Sequence, residues 1–168
     1  MTNNSFLADK KKANTILRSE YKIKQKYKTI GLVKLLNKDL TNNLIKWLKE
    51  LPVFFIIITD EVKESISDNI IFLETLDMDL LTWVDFKVCD NDICDFNIIF
   101  ERAIVPIVHS WIHLSSLLTE FNPSKWEWNA FYYQNENEFS IMYAIVRYIE
   151  NAKFPYDNKT LVENVYNS

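Results

Sequence analysis

His109 and His113 lie four residues apart in PIVHSWIHLSSLL, residues 106 to 118, a spacing that on one helical face can hold zinc. His109, however, falls at the end of an apolar β-type run and no third ligand lies nearby, which favours ordinary loop or core histidines over a metal site. Upstream, Cys89-Asp-Asn-Asp-Ile-Cys94-Asp sets two thiols among three carboxylates and invites a metal or redox reading. Asp90 and Asp92 can instead cap the helix that follows, while Cys94 packs in its first turn. Neither cysteine has an adjacent His or Lys to lower its pKa, so a nucleophile is not expected. Lys34 and Lys38 flank the end of the first apolar run, where they reach either a phosphate or plain solvent. Lys10, Lys11 and Lys12, then Lys22, Lys24, Lys26 and Lys28, form a basic stretch that reads as a charged helical face or a contact for an acidic partner. Trp126, Trp128, Phe131, Tyr132 and Tyr133 crowd into KWEWNAFYYQ. Such aromatics stack on sugars, anchor a protein interface or fill a core; Trp126 and Trp128 stand in a polar loop, which with Tyr132 marks them as a partner surface.

These residues need elements to position them, and hydrophobic spacing supplies the order. Residues 1 to 8 are polar and expected to be flexible, leaving 9 to 168 as one domain. Ala13, Ile16, Leu17 and Tyr21 fall at helical spacing, KTIGLVKLL reads as a strand, and Leu40, Leu44, Trp47 and Leu48 mark one helical face. PVFFIIIT, NIIFLETL and DFKVCD read as further strands, with a short helix in MDLLTWV before the last of them. Ile93, Phe96, Phe100 and Ala103 predict a helix before the strand VPIVHS, and WIHLSSLL a short helix after it. NAFYYQ is a short strand, EFSIMYAIVRYIENA a helix with Ile141, Ala144, Ile145 and Ile149 on one stripe, and KTLVENVYN a final short helix. Continuous apolar strands alternating with helices belong to a mainly parallel sheet covered on both faces, so the fold class is α/β, doubly wound and Rossmann-like. Ligands in such sheets lie beyond the carboxyl ends of strands, here after Leu36, Asp90 and Val108.

The totals narrow the functions. A chain of 168 residues that is 48% hydrophobic folds as one globular domain. A formal net charge of -4 and a pI near 5.2 give no field that attracts nucleic acid or anionic lipid. The longest apolar run, PVFFIII, falls far short of the roughly 20 residues of a membrane helix. Two cysteines make no disulfide framework and no basic-then-apolar leader opens the sequence, so a reduced, cytoplasmic protein is expected. Gly31 is the one glycine, where about 7% would be usual, although phosphate-binding loops depend on glycine.

The order and spacing of these segments resemble the C-terminal, nucleotide-sugar-binding half of a GT-B glycosyltransferase of the starch and glycogen synthase type. PIVHSWIHLSSLL is similar to the family's strand and phosphate loop, PVVxxTGGLxDTV: Pro106, Val108 and Leu114 match, Trp111 takes the Thr position, and Ile112 and His113 stand where two glycines belong. VDFKVCDNDICDFNIIFERAIVPIV is similar to ADxxLxPSRFEPCGLxQLYAMxYGTxPVV at Asp85 and Phe86, with a shorter loop and no counterpart of Glu-Pro-Cys-Gly-Leu. NAFYYQNENEFSIMYAIVRYIENAKF resembles TGFxFxxxxxxxLxxAIxRAL, with Ala130 for the family Gly and Phe131 kept. Near the start, TIGLVKLL resembles GxVSRLxxQKG: Gly31 matches, while Leu35 and Leu40 occupy the Arg and Lys positions that hold the donor diphosphate. The resemblance spans roughly residues 7 to 152.

What it implies is a scaffold without its machinery. Side chains as large as Ile and His keep a phosphate off the main chain, and a missing Arg and Lys remove charge that stabilises the leaving diphosphate. The family's acceptor-binding N-terminal half has no counterpart in these 168 residues, so nothing closes over the cleft. The expectation is a non-catalytic glycosyltransferase-like domain without cofactor or metal, binding a protein or, in weakened form, a nucleotide sugar or glycan. Lys34, Lys38, Asp90, His109, Ser110 and Trp111 are its expected donor-site remnants, and Trp126, Trp128 and Tyr132 its partner surface. The alternative is the donor-binding subunit of a working transferase whose acceptor domain is a separate chain.

Overall fold

The computed structural model describes residues 10, 15, 18–61, 66–89, 94–111, 117–122 and 124–168. Six strands form one parallel sheet: β1 (Thr29–Lys34), β2 (Val53–Ile58), β3 (Ile70–Leu73), β4 (Phe86–Cys89), β5 (Val105–His109) and β6 (Phe131–Tyr133), in the order β3-β2-β1-β4-β5-β6. The helices named here are α1 (Lys38–Leu48), α2 (Met78–Leu81), α3 (Phe96–Glu101), α4 (Glu138–Ala152) and α5 (Pro155–Tyr166). This is the expected doubly wound α/β architecture. Every residue of β2 is buried, which is why VFFIII shows no alternation. Right-handed crossovers to β2 on one side and β5 on the other place α1 and α3 on opposite faces. Accordingly α1 packs with α4, and α3 with α5.

Residues opposite one another in a parallel register share a face. Gly31 lies opposite Phe86, and Phe86 meets Tyr148 of α4 with ring centroids 4.7 Å apart. Gly31 is glycine because of that ring: a Cβ there would stand 2.3 Å from Phe86 Cζ. The other face carries Leu32 opposite Lys87 and Lys34 opposite Cys89.

With glycine used inside a strand, helices end without it. Lys22 (φ 51°) and Ala103 (φ 47°) take the left-handed conformation. Each sits in a paired closure, Ile23 N to Arg18 O and Lys22 N to Ser19 O in one, Ile104 N to Ile99 O and Ala103 N to Phe100 O in the other. The first of these stops the N-terminal helix, whose described residues are Lys10, Thr15 and 18–20, just before Tyr21, the last residue of its apolar spacing. At its far end α5 starts at Pro155, four residues before the expected helix, with proline in the first turn where its missing N–H costs nothing. The segment expected to be flexible, residues 1 to 8, and most of the expected short helix at 111 to 118 lie outside the described residues.

The amino ends of the strands are tied by buried polar groups. Asn69, fully buried before β3, donates from Nδ2 to the carbonyls of Leu48 (3.1 Å), Leu51 (3.2 Å) and Val53 (3.0 Å). Asp85 accepts from Ile30 N at 2.8 Å, and Lys10 Nζ donates to the carbonyls of Arg102 (3.2 Å) and Ala103 (2.8 Å). Burial raises the Asp85 carboxyl above its usual range, against the pull of Lys10, and lowers the Lys10 ammonium to about 8. No described helix is long and apolar enough to cross a membrane.

Candidate functional site

In this strand order the chain reverses direction across the sheet between β1 and β4, so the crevice beyond their carboxyl ends is the place where such folds bind ligands. β1 delivers Lys34 there, and Asn37, capping α1 by accepting from Leu40 N at 3.0 Å, sets Lys38 in the first turn. Lys34 and Lys38 line one pocket of about 140 Å³ with Thr41, Asn42, Thr59 and Asp60. Lys38 Nζ also faces Asp60 at 3.8 Å and Glu61 at 3.6 Å, so its charge is partly answered from within. Leu35 packs half-buried against the core and Leu40 is buried on the inner face of α1. Both leucines therefore serve packing.

β4 contributes a residue the sequence reading passed over. Lys87 is only 5% exposed, and burial, with Lys34 adding to the effect, lowers its pKa, while Asp95 at the start of α3 pulls it back up. The signal for it was present in FKVC, where a lysine interrupts an otherwise apolar buried strand. Cys89 and Cys94 are joined as a disulfide between the end of β4 and the turn into α3, with Cα atoms 6.2 Å apart. That corrects the expectation of two reduced thiols: helix and strand ends meet closely enough for a bond that cysteine spacing alone does not announce. Asp90 and Asp92 lie outside the described residues; the cap of α3 is Asp95, accepting from Ile98 N at 3.3 Å.

At the end of β5, His109 Nδ1 accepts from Trp111 N at 3.2 Å and its ring meets Tyr133 edge-on at 5.2 Å. This histidine organises its own loop; His113 and Ile112 lie outside the described residues. Ser110 donates its backbone N–H to Tyr133 O at 2.9 Å. Its hydroxyl is buried with no hydrogen-bond partner among the described residues. Trp111 is 81% exposed, and Tyr133 Oη donates to Cys89 O at 3.3 Å, linking β6 back to β4. The structure thus gathers Lys34 and Lys38 at one corner and His109, Ser110 and Trp111 at another.

The aromatic loop divides. Trp126 is 56% exposed, whereas Trp128 is 2% exposed and corrects the expectation of a surface residue. Its indole sits under Trp126 (5.7 Å, stacked) and edge-on to Phe121 (5.2 Å). Asn164 Nδ2 pins the loop through the carbonyls of Trp126 (2.7 Å) and Trp128 (2.9 Å). Tyr132 is half-buried and donates to Leu118 O at 3.0 Å.

With this geometry in place, comparison gives a fold relationship. The chain resembles a crystal structure of the glycotransferase of kitacinnamycin, with a TM-score of 0.57 and 9% identity over 84% of this chain. It shares a glycosyltransferase fold. The match covers 40% of that other chain, so the present chain spans less than half the length of the structure it resembles. No protein-family model and no curated protein sequence matches it.

Proposed function

We propose that this chain is a glycosyltransferase-like domain that has lost turnover and works as a binding module. The observation that carries the reading is the fate of its lone glycine: Gly31 lies within β1 against the Phe86 ring, so no loop beyond a strand end has a glycine to let main-chain N–H groups reach a diphosphate. Two facts support it. The positions that carry Arg and Lys in starch and glycogen synthase-type enzymes hold Leu35 and Leu40, both used in packing. The pocket beside Lys34 and Lys38, about 140 Å³, is also smaller than the roughly 300–1,000 Å³ of ordinary ligand sites. The proposed partner surface centres on Trp126.

The test is turnover. Purified protein given ADP-glucose or UDP-glucose with a glucan primer is expected to release no nucleoside diphosphate above a buffer blank. Release that disappears in Lys34→Ala would overturn the proposal. The second reading, a donor-binding subunit, has one observation in its favour, that Lys34 and Lys38 face the same pocket. It predicts saturable donor binding by equilibrium dialysis, lost when both lysines become alanine.

A further inference from the structure

We infer that the aromatic band along α4 and the start of α5 is a docking surface for a basic amphipathic helix of another protein. The inference rests on the reading of Trp126 as a partner surface and names what that surface receives. Among the described residues every exposed aromatic ring except Trp111 lies in this band: Trp47, Phe139, Tyr143, Phe154, Tyr156 and Trp126, between 45% and 71% exposed. The rings follow one another. Trp47, at the end of α1, meets Phe139 with centroids 5.6 Å apart, and Tyr143 stands one turn beyond Phe139 on the same face of α4. Tyr143 and Phe154 line one pocket of about 410 Å³ with Phe121 and Val146. At the far end Tyr156 meets Trp126 edge-on at 5.7 Å. Apolar side chains exposed singly are ordinary, whereas a contiguous band marks an interaction surface.

Backbone and charge select the partner. A helix face offers no unpaired main-chain groups, so an extended segment laid along α4 would leave its own N–H and C=O groups unmatched, while a helix arrives with them satisfied. The 15 residues of α4 span about 22 Å, room for roughly four turns of a partner. Three bases of the band are already answered within the chain: Arg147 by Glu120 at 2.7 Å, Lys153 by Glu150 at 2.6 Å and Lys159 by Glu163 at 3.7 Å. Glu127, Glu136, Glu138 and Asp157, the last in the pocket wall, have no ion pair among the described residues. Lys46 and Lys125 oppose them only at the two ends. The rim is therefore acidic, and a helix with lysines or arginines flanking its apolar face complements it. A second copy would set the same carboxylates against one another, and an anionic bilayer would be repelled.

The experiment is a fluorescence-anisotropy titration of the full chain into a labelled, roughly four-turn helix of leucine and lysine, alongside versions with glutamine or glutamate in place of lysine. Saturable binding of the lysine peptide is expected, with a dissociation constant on the order of micromolar that weakens as salt rises. Tyr143→Ala, Phe154→Ala and the pair Glu138→Gln with Asp157→Asn are each expected to weaken it about tenfold without moving thermal unfolding. Met78→Ala, on an exposed residue of α2, is expected to change nothing. The assignment is overturned by no saturable binding, by equal binding of the glutamine or glutamate peptide, or by binding that both aromatic variants leave unmoved. A dimer in sedimentation equilibrium that Tyr143→Ala dissociates, or cosedimentation with phosphatidylserine vesicles, overturns it as well. Nucleotide release in the turnover test with the peptide still bound would sink the loss of catalysis alone. Binding lost in Trp126→Ala but kept in Tyr143→Ala and Phe154→Ala would sink this inference alone.

Discussion

The amino edge and the carboxyl edge of the sheet treat buried polar groups in opposite ways. At the amino edge Asn69 serves three carbonyls, Asp85 receives a β1 amide, and Lys10 closes the carbonyls before β5. At the carboxyl edge the Ser110 hydroxyl has no partner among the described residues, Lys87 is buried with its pKa lowered, and Lys38 stands off from its acids. Saturated polar groups hold strands in register and contribute stability; unsatisfied ones are tolerated where a site is or was. The difference accords with a fold of this kind, in which ligands bind beyond the carboxyl ends of the strands.

That contrast can be broken by substitution. The largest effect is expected from Asn69→Leu, which removes the amide donor shared by three carbonyls and should cost about 3 kcal/mol or more in urea unfolding; a loss below about 1 kcal/mol would mean the amino edge is not the stabilising one. Next comes pH. The Lys10 ammonium is lowered from its ordinary value to about 8 in the folded protein, so the unfolded chain binds more protons above that point. Stability should therefore rise by about 2 kcal/mol between pH 8 and pH 10, and be lost again as pH falls through the folded value. Asp85 runs the other way: its raised carboxyl favours the fold in acid, and that contribution fades as pH climbs through the raised value. Lys10→Met should flatten the alkaline rise.

At the carboxyl edge the sign reverses. Lys87→Met removes a buried charge that burial and Lys34 both oppose, and should stabilise the protein by roughly 1–2 kcal/mol. A loss of stability there would show that Lys87 is as well satisfied as the groups at the other edge. The smallest change lies outside both edges: Lys22→Gly relieves an exposed left-handed residue at a helix end and should add about 1 kcal/mol by thermal unfolding.

Much of this scaffold was legible from periodicity alone. PVFFIII could only be a strand buried on both faces, and the alternation of such runs with helical stripes implied parallel pairing. Lys34 and Lys38 could be placed near a ligand edge because a loop after β1 must lie there. Contacts between segments distant in sequence were not legible. Nothing in SDNII says that Asn69 will meet three carbonyls from the α1–β2 turn, and no local pattern joins Cys89 to Cys94. Trp128 looked exposed because its neighbours are polar, yet Phe121 and Trp126 enclose it.

The measurement that bears most directly on the proposed loss of the donor site is the melting temperature of the protein in millimolar UDP-glucose or ADP-glucose. A donor at 100 times its dissociation constant would add about 2.7 kcal/mol, readily seen as a shift of the transition. An unchanged melting temperature is expected with either donor; a saturable rise that Lys34→Ala abolishes would contradict the proposed loss.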